Sequence, residues 1–194
     1  MVDRIVATSR PQAPMWFVMV AAAGVATSAW AAPDARGVVG ALLALVVLAI
    51  AVCDARHGII PNEFNVAGFA LAMLHAVLTT PEFAFLEMTD ATLRGGILGL
   101  LFLGLRLAYR RLRRRDGIGL GDVKLAVVAG AFLDWLTIPI AVEIAALAGL
   151  AAYGLGQVRN NEPLQATARL PFGLFFAPTI WLGWLIETIW VVPL

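Results

Sequence analysis

The sequence predicts an all-α protein, a polytopic membrane bundle of about seven (six to seven) transmembrane helices. Of its 194 residues, 61% are hydrophobic and 14% are charged, whereas a soluble domain is roughly 45–50% apolar and about 25% charged. Several stretches reach the length of about 20 apolar residues that a membrane helix needs. A soluble core could not bury this much apolar surface, so the composition excludes a water-soluble enzyme, a disordered chain and a fibrous repeat.

Seven apolar stretches between polar segments are the candidate spans. The first, 15–32, follows an expected cytoplasmic tail at 1–14. Arg4 and Arg10 before an apolar run that ends in small residues also resemble a cleavable signal sequence, but the run is long for a signal and we favour a retained helix. The later spans are 37–53, 63–80, 91–109, 123–136, 138–157 and 172–192. Pro139 is expected to lie in the turn between the fifth and sixth spans.

The distribution of basic residues predicts the orientation of the chain. With the N-terminus in the cytoplasm, 12 of the 14 Lys and Arg residues fall on the cytoplasmic side, and only Arg36 and Arg94 fall outside. Cytoplasmic loops of membrane proteins carry an excess of Lys and Arg. We therefore expect a multi-pass protein of the inner (cytoplasmic) membrane whose outer loops carry Asp34, Glu87 and Asp90.

Three cytoplasmic segments between the spans hold candidate functional residues. In the first segment, 54–62, Asp54 follows the second span directly. The C-terminal end of a helix favours cations, so a carboxylate there is as consistent with a functional group as with a solvated helix end. Pro61 breaks the chain, and Asn62 is expected to cap the third helix.

The second segment, 110–124, begins with a basic run and continues with alternating glycines. Five arginines in six positions are typical of an anchor that contacts anionic lipid, which favours the lipid bilayer over nucleic acid as a partner. The glycines, among them Gly119 and Gly121, do not form a dinucleotide-binding or phosphate-binding loop. They do allow a sharp bend and a close approach by another chain. Asp122 follows at the start of a helix, and Lys124 comes two residues later.

The third segment opens the last span with Pro171, Phe172 and Gly173. On physical grounds alone it indicates a helix start with proline near the first turn. Inside the spans, His75 and Glu143 are costly in lipid, so each is a functional hypothesis by default. The sequence gives neither residue a specific role.

Asp54 and Asp122 are thus two carboxylates at the cytoplasmic ends of different helices. Two nearby carboxylates that share one proton can act as general acid and base and activate water against an amide. With one cysteine and no paired-histidine spacing, we expect no metal and no cofactor. Asp54 is expected at a helix C-terminus and Asp122 at a helix N-terminus, so the helix dipoles predict that Asp54 is protonated and Asp122 ionised.

The order of three motifs resembles that of the type IV prepilin peptidases (leader peptidases), which are membrane aspartic proteases of the GxGD type. The motifs are Asp54-x6-Pro61, Gly119-x-Gly121-Asp122-x-Lys124-Leu125 and Pro171-Phe172-Gly173. The resemblance covers roughly residues 37–192 and implies that 15–194 forms a membrane peptidase domain.

The resemblance also implies what the site does. Asp54 and Asp122 would be the catalytic pair, and the substrates would be prepilins or pseudopilins, cut at the cytoplasmic membrane face. The residues expected to shape the site or contact substrate are Gly119, Gly121, Lys124, Pro61, Pro171, Phe172 and Gly173. Many family members carry an added methyltransferase domain with CxxC pairs. A chain with a single cysteine is similar to the short, peptidase-only form of Flp/Tad-type pilus systems, so methyltransferase activity is not expected.

Two other kinds of function remain open from the sequence. A catalytically inactive homologue could act as a scaffold in pilus assembly. A proton-coupled transporter could use Asp54, Asp122 and Glu143 as a relay, although no paired internal repeat of the kind found in transporters is visible. The sequence leaves open the particular prepilin, the oligomeric state and whether the first helix is retained.

Overall fold

The computed structural model describes residues 15–114, 117–160 and 171–191, and these residues form helices and turns without a strand. The predicted all-α bundle is confirmed. The helices are α1 (Met15–Ala31), α2 (Ala35–His57), α3 (Asn62–Thr79), α4 (Ala84–Arg113), α5 (Leu120–Phe132), α6 (Thr137–Asn160) and α7 (Phe172–Ile186). A 3₁₀ turn, Pro81–Phe83, precedes α4, and a π-helical turn, Glu187–Val191, extends α7. The expected tail at 1–14 lies outside the described residues.

Four helices, α2, α4, α6 and α7, are long and apolar enough to cross a membrane by length and composition. α1 is a shorter apolar helix of 17 residues. α5 has 13 residues, which at 1.5 Å per residue is about 20 Å, less than the roughly 30 Å of a bilayer core. The chain is an integral membrane protein, and the count of seven spans remains a prediction.

Glycines let the central helices approach closely. A Cβ added to Gly95 of α4 would lie 2.6 Å from the carbonyl oxygen of Val127 in α5, and one added to Gly130 of α5 would lie 2.7 Å from the carbonyl oxygen of Arg94. Between α2 and α7, a Cβ on Gly40 would lie 2.0 Å from the ring of Trp184. Small residues at helix interfaces permit such close approach in membranes, and here they bring α4 against α5 and α2 against α7.

The first helix packs as part of this bundle. Ser28 is fully buried, and its Oγ accepts a hydrogen bond of 2.9 Å from the indole N–H of Trp181 in α7. Gly24 lies against Ala44 of α2. The expectation that α1 is retained in the mature protein stays a prediction.

Some predicted boundaries are wrong by several residues. α2 continues to His57, so Asp54 lies within its last turn and not beyond it. α4 starts at Ala84, so Asp90, expected in a loop, is helical. Arg94, counted on the outer side and within the span 91–109, lies within α4 and is 8% exposed. Pro139, expected in a turn, belongs to the first turn of α6.

The bundle has two ends that are used below as reference points. The aspartate end is where α2 finishes and α3, α5 and α7 begin, and it carries Asp54 and Asp122. The arginine end is the opposite one, where α4 begins and α5 finishes, and it carries Arg94.

Candidate active site

Asp54 is placed by the end of α2. The helix terminates at Gly58, which adopts the left-handed conformation at φ 63° and donates its N–H to the carbonyl oxygen of Asp54 at 2.8 Å. Glycine adopts this conformation without a steric cost. Asp54 is 6% exposed, and its Oδ2 accepts a hydrogen bond of 2.9 Å from the backbone N–H of Leu174. The carboxylate of α2 therefore rests on the first turn of α7.

The first residues of α7 explain the third motif. Pro171 is the N-cap of the helix. The ring of Phe172 lies 6.3 Å from that of Phe102 in α4 and 5.2 Å from that of Phe176, between ring centroids, which ties the start of α7 to α4. A Cβ on Gly173 would lie 2.9 Å from Oδ2 of Asp54. Glycine at this position thus leaves room for the carboxylate.

Asp122 is placed by the start of α5. It is the third residue of the helix, and its Oδ2 accepts a hydrogen bond of 3.0 Å from the backbone N–H of the N-cap, Gly119. A capping box has two reciprocal hydrogen bonds, and this is the one that needs no side chain on the N-cap, so a glycine N-cap can form it. The turn before it is held by α4, since Arg106 donates a hydrogen bond to the carbonyl oxygen of Ile118.

The electrostatics of Asp122, which lies outside the four spanning helices, indicate that the two carboxylates are neighbours. Burial raises the pKa of Asp122 to about 6, and the negative charge of Asp54 acts in the same direction. The hydrogen bond from Gly119 and the positive charge of Arg106 oppose this increase. Asp54 and Asp122 therefore lie close enough to influence each other's protonation.

The helix positions behind the helix-dipole prediction are as expected, since Asp54 lies in the last turn of α2 and Asp122 in the first turn of α5. The structure adds a contact that the sequence does not show: the side chain of Asp54 also meets an N–H group at the start of α7, where the partial charge is positive. Both aspartates therefore accept hydrogen bonds from helix starts, and the assignment of the proton to Asp54 stays a prediction.

The remaining motif residues surround this pair. Pro61 is the N-cap of α3 and makes no side-chain capping bond. Asn62, expected to be that cap, is instead the first residue of α3, and its Oδ1 accepts a hydrogen bond of 2.6 Å from Nζ of Lys124 in α5. The turn between α2 and α3 is thus tied directly to the first turn of α5.

Sequence reasoning missed one residue that joins the motifs. Ile60 is 7% exposed, although it lies in a turn. A Cβ on Gly121 would meet Ile60 Cβ at 3.1 Å, and a Cβ on Gly173 would meet Ile60 Cδ1 at 2.7 Å. Two adjacent isoleucines, Ile59 and Ile60, in a short turn before a proline were the available signal.

Two other polar residues lie elsewhere. His75 of α3 stacks on Phe132, with ring centroids 5.2 Å apart, near the arginine end. Glu143 is exposed in the second turn of α6 and does not join the aspartates. Within the described part of the chain, no group of three or more His, Cys, Asp or Glu side chains is arranged to hold a metal ion.

The sequence model of the type IV leader peptidase family matches residues 41–154. This range is more than half of the chain and includes both aspartates. The chain belongs to the type IV leader peptidase family. The resemblance inferred from the three motifs is therefore confirmed.

Individual relatives agree with this family. The chain is 37% identical over 141 residues to a prepilin leader peptidase/N-methyltransferase of Burkholderia pseudomallei, covering 70% of this chain and 42% of that protein. It is 31% identical over 125 residues to the leader peptidase HopD of Escherichia coli, covering 64% of this chain and 77% of HopD. The chain thus spans about two fifths of the first relative's length. No solved structure matches it.

Proposed function

We propose that the protein is a membrane aspartic endopeptidase that removes the leader peptide from type IV prepilins or pseudopilins, of the Flp/Tad-like kind, at the cytoplasmic membrane face. One observation carries this proposal: two carboxylates from different helices, Asp54 and Asp122, lie within electrostatic reach of each other at one end of the bundle. Membership of the leader peptidase family supports the substrate class. The predicted excess of basic residues on the aspartate side supports the cytoplasmic orientation.

The proposed chemistry needs one proton shared between the two carboxylates. The ionised carboxylate takes a proton from water while the water oxygen attacks the carbonyl carbon of the scissile amide. The protonated carboxyl hydrogen-bonds to the carbonyl oxygen, and the amide nitrogen receives a proton as the C–N bond breaks. The products are a leader with a new carboxylate and a mature chain with a new amine, and the pair is left with one proton again.

The geometry fits this use of the pair. Close carboxylates in a partly buried site do not both ionise easily, which favours a singly protonated pair. The hydrogen bonds from Leu174 and Gly119 each fix one carboxylate oxygen.

Peptidase activity without methylation is part of the same proposal. The chain has a single cysteine, Cys53, so its own residues cannot form a CxxC-based zinc site. Cys53 directly precedes Asp54 in the last turns of α2, in a half-buried position. We expect the mature product to carry an unmethylated N-terminus.

The test is co-expression with a candidate prepilin, followed by mass spectrometry of the pilin N-terminus. Wild-type protein should release the leader, and Asp54→Ala and Asp122→Ala should each leave it attached, while both variants are inserted at normal levels. Asp34→Asn is the control, because Asp34 caps α2 at the arginine end and Asn caps equally well. Cleavage by either alanine variant, or an uncut pilin with wild-type protein, would contradict the proposal. The second outcome would favour the scaffold.

A further inference from the structure

We propose that Ile60 is a positioning residue for the aspartate pair. Its side chain sets the spacing between the starts of α5 and α7, and position 121 is glycine because Ile60 occupies the space beside it. This inference rests on the proposed function, since it takes Asp54 and Asp122 as the reacting groups.

The contacts of Ile60 carry the inference. A Cβ on Gly121 would lie 3.1 Å from Cβ, 3.3 Å from Cγ1 and 3.4 Å from Cδ1 of Ile60. On the other side, a Cβ on Gly173 would lie 2.7 Å from Cδ1 of Ile60. One buried side chain therefore packs against the backbone of both helix starts.

Each of these glycines directly precedes a residue of the aspartate site. Gly121 precedes Asp122, and Gly173 precedes Leu174, whose N–H holds Asp54. A shift of either helix start relative to Ile60 consequently moves one carboxylate relative to the other. A misplacement of about 1 Å in a catalytic site can lower the rate on the order of 10²-fold.

The turn that presents Ile60 is itself constrained. Gly58 ends α2 in a left-handed conformation, and Pro61, at φ −59°, begins α3. The hydrogen bond between Asn62 and Lys124 ties the same turn to α5. Ile60 is therefore held on a short segment that is fixed at both ends.

A second explanation of Gly121 predicts a different result. If position 121 is glycine so that the substrate chain can approach, Gly121→Ala blocks the substrate whatever residue stands at position 60. If it is glycine because of Ile60, removing the whole side chain of Ile60, including Cβ, makes room for the new methyl group. Gly173 provides the contrast, because its added Cβ also meets Asp54 Oδ2 at 2.9 Å, a contact that a change at Ile60 leaves in place.

The experiment measures kcat, KM and the pH dependence of leader cleavage by the purified full chain in detergent micelles. We expect Gly121→Ala and Ile60→Gly each to lower kcat by about tenfold with little change in KM, since each shifts a helix start by less than the roughly 1 Å that costs on the order of 10²-fold. Ile60→Gly is used because Cβ of Ile60 is the atom nearest to the added methyl group. The double variant should also lose about tenfold and not the product of the two single losses, which is the signature of two residues in contact. Ile60→Gly should not restore cleavage by Gly173→Ala. Ile59→Gly is the matched control, since Ile59 is 64% exposed, and it should stay within about twofold of wild type.

The pH profile separates positioning from a loss of folded protein. Gly121→Ala pushes the start of α5 away from the turn, which reduces the repulsion between the carboxylates. Its alkaline limb should therefore move to lower pH and return in the double variant, whereas a smaller folded fraction would lower the whole profile without moving it. A double variant whose loss is the product of the two single losses, an unmoved profile, or an Ile59→Gly as impaired as Ile60→Gly would overturn the inference. Cleavage by Asp54→Ala or Asp122→Ala would instead overturn the proposed function.

Discussion

Both ends of the bundle hold acidic side chains, but at the arginine end the carboxylates pair with a cation, whereas at the aspartate end two carboxylates lie near each other. At the arginine end, Arg94 is 8% exposed and donates from Nε to the carbonyl oxygen of Gly130 at 3.3 Å. Its Nη1 forms an ion pair with Asp90 and lies 3.7 Å from Asp134 Oδ1. At the aspartate end, Asp54 and Asp122 each accept a hydrogen bond from a backbone N–H group, and the charge of Asp54 raises the pKa of Asp122.

The network at the arginine end joins separate parts of the fold. The backbone N–H of Asp134, in the turn after α5, donates to Oε1 of Glu187 in the π-turn of α7 at 2.8 Å. A cavity of about 280 Å³ lies at this end and not beside the aspartate pair, and Arg94, Asp134 and Glu187 contribute to its lining. His75 also lines the cavity, and its Nδ1 is buried without a hydrogen-bond partner among the described residues.

The difference between the ends shows that charged groups in a membrane protein can stabilise the fold or serve proton transfer. A buried cation among carboxylates balances their charge and holds helices together. Two like charges brought together oppose folding, and groups with perturbed protonation are the ones that can move protons. We therefore expect substitutions at the arginine end to change mainly stability, and substitutions at the aspartate end to change mainly cleavage.

The largest expected effect on stability comes from Arg94→Met. This change removes the hydrogen bond to the carbonyl oxygen of Gly130 and the ion pair with Asp90, and hydrogen bonds that involve a charged group contribute about 1.5–3 kcal/mol. We expect the free energy of unfolding, measured by titration with SDS in mixed micelles, to fall by about this amount, while the folded fraction still cleaves. Arg113→Met is the control, since Arg113 is exposed at the end of α4. A loss no greater than that of the control would remove the basis of the comparison.

A smaller effect is expected on the protonation of Asp122. Burial and the charge of Asp54 keep the pKa of Asp122 at about 6, so Asp54→Asn should lower it. The proton on Asp122 stabilises the fold fully below the ordinary aspartate pKa, and this contribution is lost as the pH rises through about 6. A lower pKa reduces that loss at neutral pH. Carboxyl chemical shifts of ¹³C-labelled aspartate against pH would measure it, and an unchanged pKa would show that the two groups do not interact.

The smallest effect is expected from Asp134→Asn. The side chain of Asp134 is 58% exposed, and its distance to Arg94 is 3.7 Å. Exposed ion pairs of this kind contribute about 0–1 kcal/mol, and the backbone hydrogen bond to Glu187 does not need the carboxylate. We expect a loss of stability below about 1 kcal/mol in the same titration, with normal cleavage. A larger loss would show that Arg94 depends on Asp134 more than on Asp90.

The sequence was sufficient for the helical bundle and for the aspartate pair. Long apolar runs predict helices, because a chain in lipid must satisfy its own backbone hydrogen bonds. Asp54 and Asp122 could be singled out because each follows or opens a helix at the same predicted face. Both features depend on residues close together in the sequence.

The contacts that organise the site could not be predicted in this way. Asp54 meets Leu174 across 120 residues of sequence, and Lys124 meets Asn62 across 62. Neither pairing leaves a local pattern, which is why Asn62 was expected to cap its own helix. Arg94 was counted on the outer side from the distribution of basic residues, and that pattern gives no sign of its burial, which depends on partners in α5 and in the turn that follows it.

The most direct test measures cleavage and stability together for Asp54→Asn and Asp122→Asn. Each change removes an acid–base group, which is worth on the order of 10²–10⁴-fold in rate, and at the same time removes one of two like charges. The account predicts that both variants lose cleavage by at least this factor and unfold at an SDS fraction equal to or higher than that of the wild type. Variants that keep cleaving, or that lose stability as Arg94→Met is expected to, would contradict the claim that the aspartate end serves chemistry and not the fold.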